Sequence, residues 1–220
     1  MRTEPRYGRG EAQLSSFEYS KLDQTLGEFE GGAADADEMW ERIDYFLSRV
    51  VPVAESNKVQ IACHPQDPGI GDDLYRGVAR VMGTVEGLKK FISMRESPYH
   101  GLNFCQGTVS EMLESPGEEI FDVIRYFGER NKIFNVHFRN IKGGFLNFVE
   151  VFPDEGDINM LEAIKVYRDV RYKYMLMPDH VPGLSLKSDD ENAHWGSTAR
   201  RVGFAYCYGY INAALQTIAE

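Results

Sequence analysis

The sequence predicts an α/β fold in which short parallel strands alternate with helices. Short apolar runs rich in β-branched residues alternate with amphipathic patterns of helical period, which is typical of repeated strand–helix units. The chain has 220 residues and a hydrophobic fraction of 43%, enough to bury a core. Neither of the Gly-rich phosphate-binding motifs occurs, so the sequence gives no support to a Rossmann or P-loop fold.

The composition restricts the class of function. Lys and Arg number 24 against 34 Asp and Glu, a formal charge of −10, which argues against binding to the phosphate backbone of nucleic acid. No window approaches the roughly 18 apolar residues of a membrane span, and no signal-peptide pattern follows Met1. Three cysteines, an odd number, fit reduced thiols. We expect a soluble cytoplasmic protein with neither a nucleic acid nor a membrane as partner.

The chain divides into two predicted regions. Residues 1–35 are polar and without sustained period, which predicts an arm or long loop; residues 36–220 form the strand–helix region. An amphipathic helix is predicted from Asp37, with Asp35 or Asp37 as its cap, ending near Pro52 or continuing to Asn57. A buried strand, Val59–Cys63, follows.

The same unit recurs three more times. The second helix starts at a Thr84 cap, the third at Ser115 with a predicted capping box, and the fourth at an Asp157 cap. A last helix is predicted over residues 198–218. The strands that follow the second, third and fourth helices are predicted at residues 101–104, 133–136 and 174–177.

A residue able to bind a metal stands at the carboxyl end of each predicted strand, one strand–helix unit apart. These residues are His64, Cys105, His137 and Asp179. Because the carboxyl ends of parallel strands meet, two imidazoles, a thiolate and a carboxylate can together bind a divalent ion. Each has a structural alternative, as a core cysteine or a loop cap, but their coincidence at all four ends favours a site. The remaining cysteines and one histidine are predicted to be structural: Cys63, Cys207 and His100, the last alternatively solvated.

At these positions the sequence resembles the mannonate dehydratase family, lyases on a xylose-isomerase-like TIM barrel. The resemblance covers nearly all of the chain from about Trp40, and weakly the arm before it. It rests on several blocks in matching order: Ile61-Ala62-Cys63-His64-Pro65, Phe104-Cys105-Gln106-Gly107, His137-Phe138-Arg139-Asn140, Gly156-Asp157-Ile158-Asn159-Met160 and Pro178-Asp179-His180. It implies TIM-barrel-type (β/α) repeats. Only four strands are visible, and their ligands match the second half of the barrel, which predicts an incomplete or half barrel. Open sheet edges then predict a homo-oligomer or a partner chain completing the barrel.

The resemblance also implies an activity. A divalent metal, Mn²⁺ or Fe²⁺, would be held by His64, Cys105, His137 and Asp179, and D-mannonate would be dehydrated to 2-dehydro-3-deoxy-D-gluconate, a step of glucuronate catabolism. His180 matches the family's catalytic histidine. Arg80 and Arg139 are candidates for the substrate carboxylate, with surface ion pairs as the alternative, and Asn103 and Asn140 are candidates for its hydroxyls.

Three departures from the family pattern qualify this prediction. Gln66-Asp67 stands where the family commonly has Asp-Asp, and Val181 follows Asp179-His180 where it has Gly. His194-Trp195 replaces a Gly-Tyr pair that carries the catalytic tyrosine, so His194, or a tyrosine from elsewhere, is predicted to act in its place. The alternatives are a metal-dependent sugar isomerase or epimerase of the related barrel group, and a degenerate sugar-acid-binding partner subunit.

Overall fold

A computed structural model describes residues 1–23, 25–71, 74–184 and 198–218. Six helices are described: α1 Ala36–Asn57, α2 Val85–Ser93, α3 Gln106–Ser110, α4 Pro116–Glu129, α5 Met160–Asp169 and α6 Thr198–Ile218. The strands described are β1 Arg6–Tyr7, β2 Gln13–Leu14, β3 Ser16–Glu18, β4 Ile61–Cys63, β5 Leu74–Tyr75, β6 Val78–Ala79, β7 His100–Cys105, β8 Ile133–His137, β9 Asn140–Gly144, β10 Asn147–Val151 and β11 Leu176–Met177.

The four predicted strands form one parallel sheet. Its order is β4-β7-β8-β11, so strands that follow one another along the chain are neighbours in space. Helices α2, α4 and α5 bury their apolar faces in the main core together with the strand residues Leu102, Phe104 and Val136. This arrangement confirms the predicted α/β class with parallel strands and is consistent with part of a barrel.

The predicted helix caps are confirmed at α1 and α2 but not at α4. Asp35, one of the two predicted caps, caps α1 and forms a capping box with Glu38, and Thr84 Oγ1 accepts from Gly87 N at 2.9 Å, as predicted for α2. The box predicted at Ser115 is wrong: its side chain caps nothing, although its backbone N donates to Glu119 Oε1 at 2.6 Å.

The cap of the fourth predicted helix also differs from the prediction. Asn159, not Asp157, caps α5, its Oδ1 accepting from Glu162 N at 3.1 Å. Asp157 instead accepts from Gly143 N at 2.7 Å and so ties the chain before α5 to β9.

The N-terminal segment is more ordered than its polar composition predicts. β1 and β2 form a hairpin, and β3 pairs antiparallel with β10, which also pairs with β9. Phe17 is fully buried and stacks on Phe148 with ring centroids 5.5 Å apart. Residues predicted as loop therefore attach to the body of the domain through β10.

None of the described helices combines the length and the apolar character that crossing a bilayer requires.

Candidate metal and substrate site

The structure brings the four predicted metal ligands together at the carboxyl ends of the parallel strands. One ligand atom each from His64, Cys105 and His137 lies within 4.8 Å of the others. Asp179 follows β11, and its Oδ2 lies 3.6 Å from Cys105 Sγ and 3.5 Å from His137 Nδ1. Each strand end thus contributes one candidate ligand side chain, and the predicted convergence of these four residues is observed.

Neighbouring polar groups orient the two imidazoles. His64 Nδ1 lies 2.7 Å from the Pro65 carbonyl oxygen, which can only accept, so Nδ1 carries the proton and Nε2 keeps its lone pair. Nε2 of His137 lies 3.1 Å from Asn103 Nδ2, and Asn103 Oδ1 accepts from Asn135 Nδ2 at 2.9 Å. Asn103 therefore contacts a candidate ligand, which is a different placement from the hydroxyl-binding role predicted for it.

The charges of the cluster favour the ligand forms of the thiol and the carboxyl. Burial raises the pKa of the Cys105 thiol, but Arg139 and the imidazoles of His137 and His64 outweigh burial and lower this pKa to about 7. Burial opposes ionisation of Asp179 as well, yet Arg139 and His137 hold its pKa below the ordinary value. A thiolate and a carboxylate close together can both bind a divalent cation.

The residues present fit a metal ion. Among the residues that the structure describes, His137 Nδ1 and Asp179 Oδ1 are buried without a hydrogen-bond partner. Buried polar atoms are rarely left unpaired, and both atoms belong to candidate ligand residues that lie close to Cys105. Two imidazole nitrogens, a sulfur and a carboxylate oxygen suit a borderline divalent ion.

Arg139 lies buried at the centre of a network of carboxylates, not on the surface. Its side chain is 2% exposed. Nη2 lies 2.8 Å from Glu111 Oε1 and 3.3 Å from Asp67 Oδ2, and Nη1 lies 3.2 Å from Glu150 Oε1 and 3.6 Å from Asp179 Oδ2. Burial lowers its pKa, but Asp179, Glu150, the Cys105 thiolate and Glu111 outweigh burial and hold this pKa well above the ordinary value. The surface-ion-pair alternative is wrong for Arg139.

A cavity of about 430 Å³ opens beside the ligand cluster. His180 lines it, with Nδ1 3.2 Å from Glu150 Oε1 and in contact with Arg139 Nη1, and its side chain is 37% exposed. His180 is therefore reachable from the cavity while one ring nitrogen is held by protein groups. The cavity is lined by Met1, Arg2, Ser15, His64, Asp67, Glu150, His180 and Arg200.

Two further predicted site residues, Asn140 and Arg80, are placed differently from the prediction. Asn140 is buried, and its amide is fully used by the backbone: Nδ2 donates to Pro153 O and Ile158 O, and Oδ1 accepts from Ile141 N and Ile158 N. No donor of Asn140 is left for a sugar hydroxyl, so that prediction is wrong. Arg80 donates to Pro68 O at 3.1 Å and is not among the residues that line the cavity. His194 lies outside the described residues.

Sequence reasoning missed several charged residues of the site. Glu150 lies on β10 and Glu111 follows α3; both are fully buried, and burial raises the pKa of Glu111 well above its ordinary value. A charged residue inside the apolar run Phe148–Val151 was the available signal for Glu150. Arg2 lies in a polar segment with no periodicity, and no pattern in the sequence marks it.

Comparison with known proteins identifies relatives in the same family that the sequence motifs resemble. A family model described as D-mannonate dehydratase (UxuA) matches residues 8–220. The mannonate dehydratase of Endomicrobium trichonymphae is 31% identical over 180 residues, 80% of this chain and 47% of that protein. That of Thermotoga petrophila is 30% identical over 204 residues, 91% of this chain and 54% of that protein. The chain spans about half the length of these curated relatives.

Solved structures confirm the barrel-type fold. The crystal structure of mannonate dehydratase from Streptococcus suis serotype 2 matches with a TM-score of 0.75 at 23% identity, covering 100% of this chain and 64% of that one. A D-tagatose 3-epimerase-like protein matches with a TM-score of 0.58 at 16% identity, covering 88% of this chain and 60% of that one. At these identities the likeness establishes the fold alone.

Proposed function

The chain belongs to the mannonate dehydratase family, and we propose that its site removes water from D-mannonate, or a similar sugar acid, to give 2-dehydro-3-deoxy-D-gluconate. The observation that carries this proposal is the convergence of His64, Cys105, His137 and Asp179 beside a cavity that His180 lines. The cavity volume falls within the range of about 300–1,000 Å³ that is usual for small-molecule sites.

The four converging side chains would hold the metal. Mn²⁺ or Fe²⁺ bound by His64, Cys105, His137 and Asp179 would supply a positive charge that stabilises the negative charge developing on the carboxylate and 2-hydroxyl of the substrate. Cys105 contributes as a thiolate, because its pKa of about 7 lies well below that of a free thiol buried in apolar surroundings.

The protein must also move two protons. A base removes the proton on C2, and an acid protonates the 3-hydroxyl so that it leaves as water. His180 lies at the cavity with one ring nitrogen held by Glu150 and Arg139, so we assign one of these transfers to it. We propose that His194, which stands in the sequence where the family has its tyrosine, carries out the other proton transfer.

The arginines are proposed to act in different ways. Arg139 contacts four carboxyl groups, so it stabilises the ionised forms of Asp67, Glu150 and Asp179 and orients His180. Direct contact with the substrate stays a prediction for Arg139 and for Arg80.

We also propose that the protein is a cytoplasmic enzyme of glucuronate catabolism and that it completes its barrel as a homo-oligomer or with a partner chain.

A product assay tests the proposal. Purified protein is incubated with Mn²⁺ and D-mannonate, and the formation of a 2-keto-3-deoxy acid is measured; His180→Asn is expected to abolish turnover while metal stays bound. A rearranged sugar acid formed without loss of water would show an isomerase or epimerase instead. Substrate binding without any reaction would favour a degenerate binding subunit, and a protein that takes up no metal would contradict the ligand assignment.

A further inference from the structure

Arg2 reaches the site from the N-terminal segment and contacts two carboxylates. Its Nη2 lies 2.8 Å from Asp67 Oδ1 and also contacts Glu150 Oε1, and its Nε lies 3.0 Å from the same Glu150 oxygen. The side chain is 24% exposed and lines the cavity. Arg2 therefore links the N-terminal segment to the loop after β4 and to β10.

Both carboxylates in turn contact groups of the proposed site. Glu150 Oε1 lies 3.2 Å from His180 Nδ1 and 3.2 Å from Arg139 Nη1. Asp67 Oδ2 lies 3.3 Å from Arg139 Nη2 and accepts from Thr108 Oγ1 at 3.2 Å. A chain of direct contacts thus runs from Arg2 through Glu150 to His180.

The charge balance favours a second guanidinium beside Asp67 and Glu150. Arg139 lies within 4 Å of both and of Asp179, and the pKa of each of these three carboxyls is lowered, so a single positive charge does not compensate the ionised groups of this buried network. Glu150 is 2% exposed, so loss of Arg2 would leave it with one cation fewer and little water to replace it.

A second metal ion is the competing explanation for this cluster. Asp67, Glu150 and His180 bring ligand atoms within 4.8 Å of one another, which is close enough to hold an ion. However, Arg2 and Arg139 already lie against the two carboxylates, so the positive charge of the cluster is supplied by the protein itself.

We propose that Arg2 is a positioning residue of this site, which fixes Asp67 and Glu150 by ion pairs and through Glu150 fixes the orientation of His180. Its consequence for catalysis rests on the proposed dehydratase function. The side chain acts on His180 through a carboxylate, and its own contacts with Asp67 and Glu150 occupy the guanidinium.

Arg2→Met, which keeps length and removes charge, tests the inference against a matched control. We expect kcat to fall by about 10- to 100-fold, the usual effect of removing a group that orients a site residue through hydrogen bonds, with a smaller change in KM and unchanged metal content. Arg2→Lys should restore part of kcat because it keeps the charge but not the two-carboxylate geometry. Arg6→Met is the control: Arg6 lies in the same segment, pairs with Glu18 at 3.4 Å and is 49% exposed outside the cavity, so its loss should leave kcat unchanged.

A measurement independent of activity separates this inference from the proposed function. In protein labelled with ¹⁵N-histidine and free of metal, the ring signals of His180 should shift in Arg2→Met but not in Arg6→Met, while those of buried His100, which is bonded to Phe91 O, stay in place. An inactive wild type with this shift would overturn the dehydratase proposal and leave the positioning role supported. An active wild type in which Arg2→Met changes neither kcat nor the His180 signals would overturn the positioning role.

Discussion

Among single residues, Asn103 and Asn140 differ most in their environments, although the sequence predicts the same role for both; Asn103 lies within β7, and Asn140 begins β9. Asn140 makes four hydrogen bonds to backbone groups and is 1% exposed, whereas Asn103 is half-buried and contacts His137. Asn140→Ala should therefore lower the free energy of unfolding by about 2–4 kcal/mol, since several buried backbone groups lose their partner. Asn103→Ala should have a smaller effect on stability and a larger one on metal affinity. Urea denaturation and metal titration of both variants measure this, and equal losses of stability would contradict it.

Cys105 is the residue whose replacement most directly tests the ligand set. Cys105→Ser replaces a thiolate by a hydroxyl that stays protonated at neutral pH, so Mn²⁺ affinity should fall by about 100-fold, at least as much as loss of an outer hydrogen-bond partner costs. Cys63→Ser is the control, because it makes the same change at a cysteine outside the candidate ligand set. The Sγ of Cys63 contacts the His64 carbonyl oxygen at 3.5 Å, and Mn²⁺ affinity should stay unchanged in this variant. Isothermal titration of both variants decides the point: normal affinity in Cys105→Ser would remove Cys105 from the ligands.

His100 gives the stability of the protein a pH dependence of known sign. Burial and the charge of Lys132 lower its pKa, against the opposing effect of its bond to Phe91 O. The folded protein therefore holds His100 neutral while the unfolded chain protonates it near pH 6.5, so stability decreases as the pH falls below about 6.5. When the pH is lowered from about 7.5 to about 5.5, the free energy of unfolding should decrease less in His100→Gln than in the wild type. Parallel curves for the two proteins would show that His100 does not contribute.

At the scale of elements, the N-terminal strands belong to the folded core. Phe17 on β3 is 0% exposed and packs against Phe148 of β10, the strand that also carries Glu150. Phe17→Ala should lower the free energy of unfolding by about 3–5 kcal/mol because it leaves a cavity between these strands. Tyr7→Ala, at a residue 67% exposed on β1, should change stability by less than about 0.5 kcal/mol. A small effect of Phe17→Ala in thermal or urea unfolding would show that β3 does not dock as described.

The elements also show which features the sequence could predict. Strands β4, β7, β8 and β11 and the position of one candidate ligand at each strand end were predictable because hydrophobic periodicity and strand-end position are local properties of the chain. The antiparallel pairing of β3 with β10 was not, since each is short and the pairing joins residues far apart in sequence. The positions of Arg2, Glu111 and Glu150 around Arg139 depend on that pairing and on long-range packing. The wrong role predicted for Asn140 has the same origin, because its partners lie in a later loop.

At the scale of the whole molecule, the parallel sheet has two edges. Among the described residues, β4 pairs with β7 alone and β11 with β8 alone. Beside β4, a largely apolar cavity of about 490 Å³ is lined by residues of α1, including Phe46, which is 59% exposed. Eight strands close a barrel of this type, so the surface next to β4 is the surface that further strand–helix units would cover.

This exposed edge leads to a prediction for the 220-residue chain studied by itself. Unpaired strand edges and contiguous apolar surface favour association, so we expect the purified chain to self-associate as its concentration is raised. Phe46→Glu places a charge on the apolar surface of α1 and should shift sedimentation profiles toward the monomer. Glu41→Gln, a change at an exposed position of the same helix, is the control and should leave association unchanged. A chain that stays monomeric at all concentrations, with no binding of an apolar dye at this surface, would contradict the prediction, because an uncovered edge and an uncovered helix face would then carry no tendency to associate.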